Sequence, residues 1–591
     1  ILMLFFKKYL FLLFLIPIYA FSLEYSVVFF GIGDKNTLDA IEKVSNLIIL
    51  QKRPPKTSNA LRYRANSDIA EIKKILHSLG YYDAEVKVDL EETEKLIKVN
   101  VFITPGTRYT IKEINLYSDC IEKKKLEIAN VTLNDLDLRV SDPVVTENII
   151  SNQDKLLFLL SSNGYPLSKI EKLETKIDLS EKTAYLDFCV QTGPFSKFGN
   201  IKISGLKDID QSVIFKKIKW NKNQTYDVRK IIETQRALLK TNLFSSVAIL
   251  NDQTVDKDDQ LGINIKLAEA LHKYFSPAIS YATVDGFGAS IAWGNRNFRS
   301  RGELLALEAE VAQRIFFGIA TYKITDFLKT DQNYVLRLAA QREKIPYVYL
   351  AFTYSMINRI DRLISKNLLV SLGFKVEYDE ITHSGNNGDF LLLGVPFYLK
   401  YSNANNLLNP TKGNTFIYYA SPYQNVINEA DFFFKQTFTY NIYLPFGKSE
   451  IFVLAVRTQL GNMIGSSVFN MPLTKLFLGG SDDDLRGYKY RTVSPLNEKR
   501  EPIGGKSAIY VSIEPRFKIT KTIGLVPFTD LGIVSLKQFP AFEEKWFKSV
   551  GIGVRYYSFF GPIRLDVGFP LDRRKNIDPR YKIYVNIGQT F

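Results

Sequence analysis

Residues 581–591 read Tyr581-Lys582-Ile583-Tyr584-Val585-Asn586-Ile587-Gly588-Gln589-Thr590-Phe591. Side chains of an extended chain alternate between two faces. One face therefore carries Tyr581, Ile583, Val585, Ile587 and Phe591, and the other Lys582, Tyr584, Asn586, Gly588 and Thr590. The segment before it behaves alike: Ile563, Leu565, Val567 and Phe569 alternate with Arg564, Asp566 and Gly568. In a membrane barrel such strands turn the apolar face to lipid and the polar face to the lumen.

The same alternation is expected at Ala278–Ala282, Phe287–Asn295, Leu391–Leu399, Phe434–Leu444 and Ile451–Leu460. The 322 residues from 270 onward hold about sixteen antiparallel strands of about ten residues with their turns. A large soluble sandwich or propeller is the competing reading, and the lack of helices between strands argues against it. Beyond the first twenty-odd residues no run of 18 apolar residues occurs, so no spanning helix is expected. Residence in a membrane then requires a closed barrel, because lipid offers no partners for open backbone groups.

The first 22 residues read as an export signal: Lys7 and Lys8, an apolar stretch from Tyr9 to Tyr19, then Ala20-Phe21-Ser22. From Glu24 to Ala270 a pattern of strand, helical segments and two strands recurs roughly every 80 residues. In the first unit Ile69, Ile72, Leu76 and Leu79 have helical spacing, with Ser67 near the expected N-cap and Gly80 past the end. Strands are expected at Tyr82–Leu90 and Lys95–Thr104. The second unit has a helix through Lys155–Leu160 and strands Leu167–Asp178 and Thr183–Gln191; the third has a helix Val228–Leu239 and strands Val247–Leu250 and Gly262–Leu267. The expected organisation is a signal peptide (1–22), three α+β modules (23–105, 106–194, 195–269) and a barrel (270–591).

The net charge of +15 comes from 77 basic and 62 acidic residues spread along the chain. Without a clustered basic footprint, nucleic-acid binding is not expected. Cys120 and Cys189 are the two cysteines, and export would permit them to pair. Chemistry-bearing patterns are missing. His77, His272 and His383 are scattered without metal-ligand spacing. Gly505-Lys506-Ser507 mimics the end of a phosphate-binding loop, but Arg500 stands where its earlier glycine is needed. Asp482–Asp484 reads as a solvated acidic loop. No enzyme, cofactor or metal is expected.

One stretch goes beyond composition: Leu478-Gly479-Gly480-Ser481-Asp482-Asp483-Asp484-Leu485-Arg486-Gly487-Tyr488. It resembles the Arg-Gly-aromatic motif in the sixth extracellular loop of the BamA/TamA superfamily of outer-membrane assembly and translocation barrels. Family-like blocks stand around it: Pro502–Ser507, Glu514-Pro515-Arg516, Phe528–Gly532, Gly551–Tyr556, Gly561–Leu571 and Ile587–Phe591. The repeats resemble that family's POTRA modules, and three of them bring the chain nearest to its TamA branch.

The resemblance implies that the loop folds into the lumen, with Arg486, Gly487 and Tyr488 meeting Glu514, Phe528 and Asp530 on the barrel wall. A guanidinium makes paired, charge-assisted bonds to carboxylates that a lysine does not reproduce. It also implies a weak seam between the first strand, near Lys273–Ala282, and the last, Tyr581–Phe591, with Ser280, Tyr281, Gly286, Ile587, Gly588 and Phe591 as its candidate residues. Unfolded outer-membrane proteins, autotransporters among them, are the implied substrates. A TamB-like inner-membrane-anchored partner and outer-membrane lipid are the implied associates, with the POTRA modules in the periplasm. A two-partner-type exporter, a lipid conduit and a passive channel remain alternatives.

Overall fold

In the computed structural model, residues 23–92, 96–119, 121–128, 130–282, 286–382, 388–427, 431–447, 450–540, 543–559, 561–587, 589 and 591 are described. The expected export signal, Cys120, His383 and Gly588 lie outside them.

The first module comprises β1 (Tyr25–Phe30), α1 (Lys35–Val44), α2 (Asn46–Ile49), α3 (Ser58–Ser78), β2 (Glu85–Glu92) and β3 (Ile97–Thr104), with sheet order β1-β3-β2. Leu61, Ala65, Ile72 and Leu76 form the buried stripe of α3 against that sheet. Ser67 lies inside this helix, not at its start: Thr57 is the N-cap, accepting from the Ala60 amide at 3.2 Å. The expectation missed nearly three turns because buried Asp68 interrupts the apolar stripe. Its carboxylate accepts from Ser45 Oγ (2.6 Å) and from the amides of Asn46 and Leu47 (both 2.9 Å), pinning α2 to α3.

The second module runs β4 (Thr110–Asp119), β5 (Lys124–Lys125), α4 (Thr146–Ser162), β6 (Lys169–Asp178) and β7 (Thr183–Gln191), ordered β5-β4-β7-β6. Cys189 is buried on β7. The third runs β8 (Lys197–Ser204), α5 (Ser212–Phe215), α6 (Val228–Leu239), β9 (Phe244–Val255) and β10 (Gln260–Glu269), ordered β8-β10-β9. By packing, the chain forms two compact units. One holds the residues up to Lys202 with Lys219–Thr234 and Ile249–Ile265; the other holds Ile203–Ile218, Gln235–Ala248 and Lys266–Phe591.

The remaining strands form one antiparallel sheet in chain order: β11 (Lys273–Ala282), β12 (Gly286–Asn295), β13 (Leu304–Ala312), β14 (Ile315–Ile324), β15 (Gln332–Ile345), β16 (Tyr349–Ser365), β17 (Leu368–Thr382), β18 (Gly388–Gly394), β19 (Phe397–Ser402), β20 (Gly413–Asn425), β21 (Phe432–Phe446), β22 (Phe452–Gly465), β23 (Ser507–Lys518), β24 (Ile523–Ser535), β25 (Phe547–Ser558), β26 (Gly561–Pro570) and β27 (Lys582–Ile587). Leu391–Leu399, expected as one strand, is two. β18 and β19 both pair with β17 and β20, and Val395-Pro396 separates them. Proline has no amide to give the ladder. Seventeen segments thus fill sixteen strand positions.

The barrel is inside-out relative to a soluble sheet. On β25 to β27, Ile552, Val554, Leu565, Phe569 and Ile583 are exposed, while Arg555, Arg564, Asp566 and Tyr584 are buried. Among the described residues no helix is long and apolar enough to cross a membrane.

Candidate functional site

Residues 466–506, between β22 and β23, enter the lumen, and the Arg486-Gly487-Tyr488 segment meets the inner face of β23–β26 there. Arg486 is 1% exposed. Its Nε and Nη2 reach the two oxygens of Asp530, each at 2.8 Å, and its amide reaches Asp530 Oδ2 at 3.1 Å. Its Nη1 reaches Glu514 at 2.7 Å and Asp566 at 3.2 Å. Its guanidinium lies 3.4 Å from the Phe528 ring centroid. Burial by itself would lower the pKa of Arg486, and the carboxylates of Asp530, Glu514 and Asp566 outweigh it, holding the pKa well above the ordinary arginine value.

Four guanidinium groups share four carboxylates here. Arg516 pairs with Glu514 at 2.8 Å, Arg555 with Asp566, and Arg564 with Asp482 at 2.6 Å. Such a buried set holds only when nearly every member is matched, and removing one partner costs ~3–5 kcal/mol. The expected Glu514, Phe528 and Asp530 are all brought to Arg486. Asp566, Arg516, Arg555, Arg564 and Tyr584 were not singled out. Their signal was the polar residue at alternate positions of the last strands, which gives a face and no partner.

Backbone closeness explains the glycine. Gly487 has φ +93°, its amide donates to Tyr584 Oη at 2.8 Å, and a Cβ there would stand 3.0 Å from Gly568 C. Tyr488 Oη donates to the Lys548 carbonyl at 2.7 Å. Asp482 and Asp484 are not a solvated acidic cluster. Asp482 accepts from Arg564 and Asn586, and Asp484 from the amides of Gly480 and Ser481.

The loop is also tied to the strands earlier in the order. Lys475 pairs with Glu377 of β17, Thr474 Oγ1 donates to Asp379 at 3.1 Å, and Lys435 of β21 donates to the Lys475 carbonyl at 2.6 Å. Arg491 donates to Tyr349 Oη at 2.7 Å. The loop is therefore a strap across the lumen, beside a remaining cavity of about 530 Å³.

At the sheet ends, β11 pairs with β12 and β27 with β26, and no ladder joins β11 to β27 among the described residues. Phe275 through Tyr281 of β11 are exposed on both faces. Tyr281 opposes Phe287, with ring centroids 4.8 Å apart, Ser280 opposes Gly288, and Gly286 opens β12 with φ +79°. Ile587 is the last residue of β27 and is exposed. Phe591 departs from the sequence reading. It does not continue the outward face; its ring faces Arg516 at 5.2 Å and Arg457 at 5.8 Å, and Arg516 donates to its carbonyl at 3.0 Å. Gln589, on the way, bonds Arg555 and Asn409. The cations of the lumen draw this segment inward, where ring faces attract them.

His272 has closer company than its sequence position suggested. Asp208, Glu269 and His272 bring ligand atoms within 4.8 Å of one another. Glu269 is already engaged by the amides of Lys207, Asp208 and Ile209 and by His272 Nε2. It ties the third module's loop to the base of β11.

Comparison with known proteins places this geometry. Residues 297–591 match the Omp85 superfamily domain, and residues 196–270 match the POTRA family described as a surface antigen variable number repeat. The chain is 23% identical over 530 residues to outer membrane protein assembly factor BamA of Nitratidesulfovibrio vulgaris, covering 86% of this chain and 65% of that protein. It is 20% identical over 523 residues to the assembly factor BamA of Neorickettsia risticii, covering 83% of this chain and 67% of that one. The chain thus spans about two thirds of these relatives' length. The crystal structure of Haemophilus ducreyi BamA lacking POTRA domains 1–3 superposes with a TM-score of 0.69 at 16% identity, covering 81% of this chain and 100% of that one.

Proposed function

We propose that this chain, whose residues 297–591 match the Omp85 superfamily domain, assembles barrel-type outer-membrane proteins, autotransporter-like substrates among them, at a seam between β11 and β27. One observation carries the reading: among the described residues β11 has a ladder on one side only, and its residues from Phe275 to Tyr281 are exposed. Unpaired backbone groups are costly in lipid. A substrate strand that pairs with them satisfies both chains, which is strand addition within a membrane. The outer membrane is the corresponding location, with the three modules in the periplasm.

A TamB-like partner belongs to the proposal on the resemblance of the Leu478–Tyr488 loop and its flanking blocks to the BamA/TamA superfamily; no enzymatic step belongs to this reading. A passive channel is the weaker alternative, because the strap held by Arg486 and Lys475 occupies the lumen. The test is site-specific photo-crosslinking from β11. A crosslinker at Ser280 should capture an unfolded barrel substrate during its insertion, whereas one on β16 should not. Equal capture at both, or none at Ser280 while substrate inserts, would refute the seam.

A further inference from the structure

We propose that a basic pocket on the lumenal side of the barrel's periplasmic end binds acidic side chains of an extended polypeptide. The pocket, of about 250 Å³, is walled by the third module's Lys216, Lys217 and Lys240 and by Arg296, Arg301 and Lys323 of the barrel rim. All of these residues belong to the same compact unit. The one carboxylate lining it, Asp326, is committed to Lys217 at 2.6 Å. Arg296 stacks at 4.6 Å on Tyr274, and Lys216, Lys240, Arg301 and Lys323 make no ion pair among the described residues. Asp210 is the nearby carboxylate on which Arg301 and Lys216 act; the six cations against Asp210 and Asp326 still leave an excess of positive charge, which repels itself and which an anion relieves.

The register decides which anion. Tyr274 opposes Gly294, Gly294 opposes Ala306, and Ala306 opposes Thr321. These residues, with Leu304 and Lys323, share one face of the sheet. Phe275, Ile279, Ile291, Leu307 and Val311 share the other, which is exposed and apolar. The pocket therefore opens on the lumenal face, away from lipid. It lies against the Lys273 end of β11, whose outer edge has no ladder among the described residues and is the place where the proposed function seats an extended chain; the inference rests on that reading. A strand added at that edge lies about 4.8 Å from β11 and turns every second side chain to the lumenal face. Carboxylates at such alternate positions come within reach of long lysine and arginine side chains. The pocket thereby adds a charge preference to an edge that reads backbone alone.

Binding of two fluorescent ten-residue peptides to the full chain in nanodiscs tests this. Both alternate apolar and polar residues, one with Glu and the other with Gln at the polar positions of one end. The Glu peptide should bind about tenfold more tightly at low salt, a margin in keeping with charge-assisted pairing. The margin should collapse below about twofold in Lys240→Gln/Arg301→Gln/Lys323→Gln and return in Lys240→Arg/Lys323→Arg, which keeps the charge. Equal binding of both peptides to the wild type would overturn the pocket while leaving the seam intact. No binding of either would overturn the seam and the pocket together. Displacement of the Glu peptide by phosphatidylglycerol vesicles or inorganic phosphate, at charge-equivalent concentration, would reassign the pocket to phosphate and overturn the proposal.

Discussion

Arg486 lies with its guanidinium carbon 3.4 Å from the centroid of Phe528, and the same ring rests on Gly551, where an added Cβ would collide with Phe528 Cζ. The loop arginine is thus held by an aromatic that a bare strand backbone lets into place.

Replacing Arg486 leaves Asp530 without the fork that engages both of its oxygens. Arg486→Ala should lower barrel stability by ~3–5 kcal/mol, and Arg486→Lys should recover less than half of that, since an ammonium reaches fewer of the three carboxylates. Urea titration followed by the gel mobility of the folded barrel measures both. A lysine variant as stable as the wild type would contradict the network.

Gly568 faces the loop backbone: a Cβ there would stand 2.9 Å from Gly487 N and 3.1 Å from Arg486 C. Gly568→Ala should push the loop from the wall and cost roughly 1–3 kcal/mol, as overpacking does. Single-channel conductance should rise as the strap loosens, and conductance at the wild-type level would argue against it.

The tie at Lys475 should be energetically coupled to that at Arg486, because one strap carries both. In the double-mutant cycle of Lys475→Met and Arg486→Ala, the two costs should fall short of additivity by about 0.5–3 kcal/mol. Strict additivity would mean that the two ends of the loop are held independently.

In the first module, Asp68→Ala removes the acceptor for Ser45 Oγ and two amides. It should destabilise that module by roughly 1–3 kcal/mol. Hydrogen exchange should speed up at Asn46 and Leu47, while the amides of β23–β26 keep their protection.

Much of this was legible in the sequence. Strict alternation in Ile563–Phe569 and Tyr581–Ile587 fixed which side chains face outward, because period-2 patterning leaves one choice of face. Val228–Leu239 matches its expected helix to the residue. Arg486 met Glu514, Phe528 and Asp530 because a motif located them; alternation alone offered a lumenal face with many carboxylates. Three features were hidden. Pro396 breaks a ladder without breaking the apolar pattern around it. Asp68 is a buried carboxylate whose donors lie on another helix, some twenty residues away in sequence. Phe591 continues the apolar face on paper, yet its neighbours in space are Arg457 and Arg516, which no local pattern reveals.

In the proposed function, substrate strands enter between β11 and β27. Its most direct test is the rate at which an unfolded barrel substrate inserts into liposomes containing the purified chain. The comparison is with a variant carrying one cysteine on each of these strands, locked by oxidation. Insertion should be accelerated by the reduced protein, lose that acceleration on oxidation and regain it on reduction. Acceleration that persists in the locked form, or none in either form of a correctly folded barrel, would contradict entry at this seam.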